Sequence, residues 1–95
     1  MRMKNPAHPG AIIKDEIDFL GLSVAEAARG LGITRQQLYR IIRGESGISP
    51  DVALRLEQAI GSSADHWLRM QASYDLAQAR PTAPVLKKLE PKQAA

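Results

Sequence analysis

Apolar residues recur along the chain at spacings of three and four, and glycine, serine or proline breaks the pattern at nearly regular intervals. That period belongs to amphipathic helices and leaves little room for strands. The first predicted helix runs from about Pro9 to Leu20. Proline suits the first helical position, where its missing N–H has no bond to lose, and Gly21 ends the run. Ile13, Ile17 and Leu20 share its apolar stripe, while Lys14, Asp15 and Asp18 point away. Ser23 and Glu26 form a capping-box pattern that opens a second helix, about 24–31, with Gly32 as a left-handed stop. Thr34 and Gln37 repeat the capping pattern for a third, about 35–43, ended by Gly44. Ser49-Pro50 opens a fourth, about 50–60, closed by Gly61, and Ser62 or Ser63 caps a fifth, about 64–79. The reading is all-α, with five helices in one domain over residues 1–80. Beyond Arg80, "PTAPVLKKLEPKQAA" carries three prolines and little periodicity, so residues 81–95 are expected to form a flexible tail.

The turn between the second and third helices is the informative one. It is about three residues long, contains glycine, and joins two short helices, which is the signature of a helix-turn-helix over about 23–44. On the third helix Leu38, Ile41 and Ile42 make an inward stripe, and Gln36, Arg40 and Arg43 fall opposite, flanked by Arg35, Tyr39 and Gln37. Arginine reaches guanine O6 and N7 with two parallel donors, and glutamine pairs with adenine N6 and N7. Thr34 and the open N–H groups at the helix start suit a phosphate oxygen, and Arg43, at the far end, suits the DNA backbone. A polar face opposite an apolar stripe is shared by every surface helix. The short turn, the two caps and the absence of acid between Thr34 and Gly44 together favour DNA.

Composition narrows the function further. The chain is 44% apolar and 24% charged, with a net charge of +3, which permits a nucleic-acid partner without requiring one. It has no cysteine, so disulfides and thiolate-held zinc are excluded. His8 and His66 lack ligand-spaced companions; His8 is expected to help cap the first helix and His66 to sit on the surface. The serines lie mostly at caps without a base and an orienting partner, so neither an enzyme nor a cofactor is expected. "MRMKNPAHPG" has no apolar signal core and no run has bilayer length, so a cytoplasmic protein with no membrane partner is expected.

The fifth helix carries two apolar stripes, Trp67, Met70 and Tyr74 on one, Leu68, Ala72, Leu76 and Ala79 on another. A terminal helix needs one such face for its own core, so the second is expected to meet a partner. Leu54, opposite the Val52, Leu56 and Ala59 stripe of its own helix, supports the same idea. The expected interface is a homodimer that sets two reading helices about 34 Å apart, one DNA turn.

The stretch "SVAEAARGLGITRQQLYRIIRG" resembles the helix-turn-helix of the XRE-type phage-repressor superfamily, and so the lambda-repressor-like fold. "HPGAIIKDEI" before it and "GISPDVALRLEQAIGSSADHWLRMQASYDL" after it extend the likeness to HigA-type antitoxins, also known as VapI-like, over about residues 6–80. The resemblance implies a homodimer that binds a palindromic operator, represses its own operon, and neutralises a small basic RelE-like mRNA endonuclease, HigB. It places base contacts on Arg35, Gln36, Gln37 and Arg40, with Tyr39 near base or sugar. Many relatives have glutamine just after the second helix's cap, gripping phosphate; Val24 stands there in this chain, which leaves the backbone N–H groups around Ser23 to Ala25 for that contact. Asp15, Glu16 and Asp18 form a solvated face and also a candidate contact for the basic toxin. Two other readings stand beside this one: a stand-alone XRE-type regulator without a toxin, and an interaction module whose helix-turn-helix no longer binds DNA.

Overall fold

The computed structural model describes residues 6–92. In chain order its helices are α1 (Pro9–Phe19), α2 (Val24–Leu31), α3 (Arg35–Ile42), α4 (Pro50–Ala59) and α5 (Ala64–Ala79), followed by a single 3₁₀ turn, Arg80–Thr82. No strand occurs among the described residues. α1, α3 and α4 end one residue earlier than their sequence patterns predict, because Leu20, Arg43 and Ile60 serve as C-caps.

Each start is fixed by a side chain that satisfies an otherwise orphaned amide. Ser23, Thr34, Ser49 and Ser63 accept from Glu26, Gln37, Val52 and His66 respectively, at 3.0–3.2 Å. His8 caps α1 through Nδ1, which accepts from the Gly10 N–H at 2.9 Å. Gly32, at φ 72°, ends α2 in the left-handed conformation that glycine adopts without steric penalty.

The core is aliphatic with one aromatic anchor. Ile13 and Ile17 of α1, Leu38 and Ile41 of α3, Leu56 of α4 and Trp67 of α5 are almost completely buried. Trp67 also donates its Nε1–H to the Gly61 carbonyl at 2.8 Å, which closes the α4–α5 turn. α1 meets α3 so closely that a Cβ on Gly10 would stand 1.9 Å from the Ile41 carbonyl oxygen, so only glycine fits there. Arg55 of α4 ties down the α2–α3 turn: one terminal nitrogen, Nη1, donates to Leu31 O at 2.9 Å and Gly32 O at 3.1 Å, while Nε bonds Asp51. These contacts hold the helix-turn-helix from both sides and leave the outer face of α3 uncovered.

Leu20 does not join the stripe of Ile13 and Ile17. Ile17 is the last residue of α1 to reach the core; beyond it Phe19 is 86%, Leu20 52% and Leu22 39% exposed. After the 3₁₀ turn, residues 83–92 form no regular element, and Val85, Leu86 and Leu89 lie in solvent.

Candidate nucleic-acid interface

The inward face of α3 is anchored by Leu38 and Ile41, with Ile42 half-buried against the same core. That anchoring turns Arg35, Gln36, Gln37, Tyr39, Arg40 and Arg43 outward, and all of them are exposed. They do not form one uniform surface. Thr34, Gln36, Gln37 and Arg40 line a concavity of about 450 Å³ together with Ser46, Gly47 and Ser49 from the loop that follows α3. Arg35, Tyr39 and Arg43 lie outside it. Tyr39 and Arg43, four residues apart, pair with each other, the guanidinium 5.2 Å from the ring centroid.

Sequence reasoning missed the loop residues Ser46, Gly47 and Ser49. Their place follows from backbone bonds: the Arg40 carbonyl accepts from Glu45 N–H at 2.9 Å and Ser46 N–H at 3.3 Å, folding the loop back beside the reading face. A serine in a loop gives no periodic signal, so only the turn geometry reveals it.

The start of α2 differs from expectation. Ser23 Oγ accepts from Glu26 N–H, and the Glu26 carboxylate accepts from Ser23 N–H at 2.9 Å. The Ser23 N–H, which would otherwise be open to a phosphate, is therefore taken by an anion. The Ser23 bonds, the backbone one first, hold the Glu26 carboxyl below its ordinary pKa. A phosphate at this end of α2 would meet the N–H groups of Val24 and Ala25 beside a carboxylate. At α3 only the forward half of the box forms among the described residues, from Gln37 N–H to Thr34 Oγ1 at 3.0 Å. The Gln37 amide stays on the concave face.

The two stripes of α5 separate only in part, since Leu68 of one and Met70 of the other both pack half-buried against the core. Trp67 is 2% exposed, Met70 packs on the core, and Tyr74 meets the His8 ring edge-on at 4.8 Å. Trp67 therefore belongs to the chain's own interior, while Met70 and Tyr74 stay half-buried. Leu68 is half-buried, whereas Ala72 is exposed and Leu54 and Leu76 are each 51% exposed. Asp15, Glu16 and Asp18 are exposed on α1, and Asp18 pairs with Lys14. Burial holds the His8 imidazole below its ordinary pKa, against the opposing pull of Asp75 and of the Ser46 backbone; His66 is exposed.

Five helices in this order, with a capped second helix, a glycine turn and an exposed third helix, define a helix-turn-helix protein. The profile described as helix-turn-helix matches residues 14–67, and the chain belongs to that family, in its XRE-type branch. It is 49% identical to virulence-associated protein A' of Dichelobacter nodosus, over 81% of this chain and 68% of that protein. It is 36% identical to the HTH-type transcriptional regulator YddM of Escherichia coli, over 90% of each chain. Among solved structures, the antitoxin HigA of Pseudomonas aeruginosa with the higBA promoter superposes with a TM-score of 0.76 at 37% identity, covering 81% of this chain and 85% of that one. A HigA-family addiction module antidote protein from Coxiella burnetii gives 0.77 at 35% identity, with the same coverages. No helix among the described residues is long and apolar enough to cross a membrane.

Proposed function

We propose that this protein is a HigA-type antitoxin and autorepressor that binds an operator in double-stranded DNA through α3. The observation that carries the reading is the grouping of Thr34, Gln36, Gln37 and Arg40 on one uncovered concave face of the helix-turn-helix's second helix. A Pseudomonas neighbour solved with its promoter DNA supports it. Gln36, Gln37 and Arg40 read base edges, Arg35 and Tyr39 flank them, and Thr34 and Arg43 hold phosphates. Leu54, Leu68, Ala72 and Leu76 supply the homodimer surface, which sets two α3 helices against the halves of a palindromic operator.

The toxin contact is assigned to the far end of α1, where Asp15, Glu16 and Asp18 neighbour the exposed Phe19, Leu20 and Leu22. Acid beside apolar surface suits a small basic RelE-like endonuclease. The protein acts in the cytoplasm, at the nucleoid when bound to its operator. Its likeness to YddM supports one other reading, a regulator without a toxin.

Two measurements test this. Fluorescence anisotropy should show the purified chain preferring DNA from upstream of its own operon over scrambled DNA; equal affinity for both would overturn the repressor role. Expression of the adjacent small basic reading frame should arrest growth, and co-expression of this chain should relieve it. A harmless neighbour would leave only the regulator.

A further inference from the structure

Gln71 is the buried polar side chain of the described core, 7% exposed and set on α5. An amide in that position is costly unless both its ends are bonded. Both are: Oε1 accepts from the Ile48 N–H at 2.9 Å, and Nε2 donates to Asp75 Oδ1 at 3.0 Å. The amide lies against Gly47, where an added Cβ would stand 3.2 Å from its Cδ. Gln71 therefore grips the backbone of the loop that leaves α3, the same loop that carries Ser46, Gly47 and Ser49 into the concavity of Thr34, Gln36, Gln37 and Arg40.

The opposite side of the loop is held as well. A Cβ on Gly44 would lie 3.7 Å from the His8 ring, and that ring packs on Tyr74 of α5. The loop thus sits between two groups referred to α5, a helix that has no direct place on the α3 face. A buried amide spent on one loop N–H contributes little to the hydrophobic core. It does fix where the loop stands relative to the last turn of α3.

We propose that Gln71 is a positioning residue for DNA recognition: bonded to Ile48 and Asp75, it sets the loop after α3 and so the shape of the face that meets DNA, without touching DNA itself. The inference rests on the reading that α3 binds an operator.

The test compares operator DNA with scrambled DNA for the full chain and three variants, with circular dichroism confirming the fold of each. Gln71→Met keeps length and volume but removes both bonds. Operator affinity should fall about tenfold or more, while affinity for scrambled DNA, set by phosphate contacts, should stay within about twofold. Gln71→Glu alone sets two carboxylates side by side and should do at least the same damage. Combining Gln71→Glu with Asp75→Asn restores a donor and an acceptor in reversed order, so operator affinity should return to within about threefold of the natural chain. Operator affinity unchanged in Gln71→Met, equal loss for both DNAs, or no recovery in the double variant would each overturn the latch. If the natural chain itself does not prefer the operator, the DNA reading falls, and the latch with it; a natural chain that discriminates, with variants that discriminate equally, removes the latch alone.

Discussion

The starts of α2 and α3 carry the same motif and do opposite things. At α2 the Ser23–Glu26 box closes on itself, each partner bonding the other's N–H. At α3 Thr34 caps forward while the Gln37 side chain stays on the outer face. The difference is one of charge. A glutamate three residues into a helix is drawn back to the positive helix start, whereas a neutral glutamine gains far less there. One helix N-terminus therefore carries a carboxylate against its first amides, and the other does not. On the proposed reading, that asymmetry favours α3 over α2 as the end that meets phosphate.

Paired cap removals break the comparison most strongly. Ser23→Ala and Thr34→Ala should each lower stability by about 1 kcal/mol in chemical denaturation. Only Thr34→Ala should also weaken operator binding, by about tenfold, as a lost phosphate contact and a loosened reading helix; equal binding losses would erase the distinction. Arg43→Ala, at the other end of α3, should weaken operator and scrambled DNA alike and reduce the salt slope of log K by about one, seen in a titration of affinity against salt.

Glu26→Gln sharpens the comparison from the α2 side with a smaller effect. Removing the carboxylate should raise affinity for every DNA sequence by about twofold, because repulsion of phosphate disappears. The same substitution should flatten part of the acid limb of stability. The Glu26 carboxyl titrates lower in the folded chain than in the unfolded one, so its contribution is full above the ordinary carboxylate range. It is lost as pH falls through the folded value, so the stability difference between the two chains should be largest near neutral pH and close as pH drops below about 4.3, as melting curves across pH would show. His8 adds an acid sensitivity of the same sign. Its folded pKa is also lowered, and protonation abolishes the Nδ1 acceptor for Gly10 N–H, so stability falls as pH drops below about 6.5, the ordinary imidazole value.

Much of this architecture was legible in the chain because its helix boundaries are written in local chemistry. Ser23, Thr34, Ser49, Pro50 and Gly32 act within a few residues of themselves, and the structure uses each in the role its type suggests. The inward stripe of Leu38, Ile41 and Ile42 was legible for the same reason, and with it the outward face of α3. What periodicity cannot supply is the identity of the surface that covers a stripe. Trp67 and Leu76 lie on equally apolar faces of α5, yet one is sealed by α4 and the turn at Gly61 while the other meets solvent. Leu20 failed likewise, since a stripe ends where its neighbour ends. The loop serines and Gln71 were hidden because their roles depend on contacts between distant segments, such as Ile48 with Gln71, twenty-three residues apart.

The central claim is that α3 reads bases through Gln36 and Arg40. The direct measurement is the ratio of operator to scrambled-DNA affinity for the natural chain and for Gln36→Ala combined with Arg40→Ala, at one fixed salt concentration. Each contact is worth about 1–3 kcal/mol of discrimination, so the ratio should collapse towards unity in the double variant while its fold is retained. A ratio unchanged by the two substitutions would contradict the account.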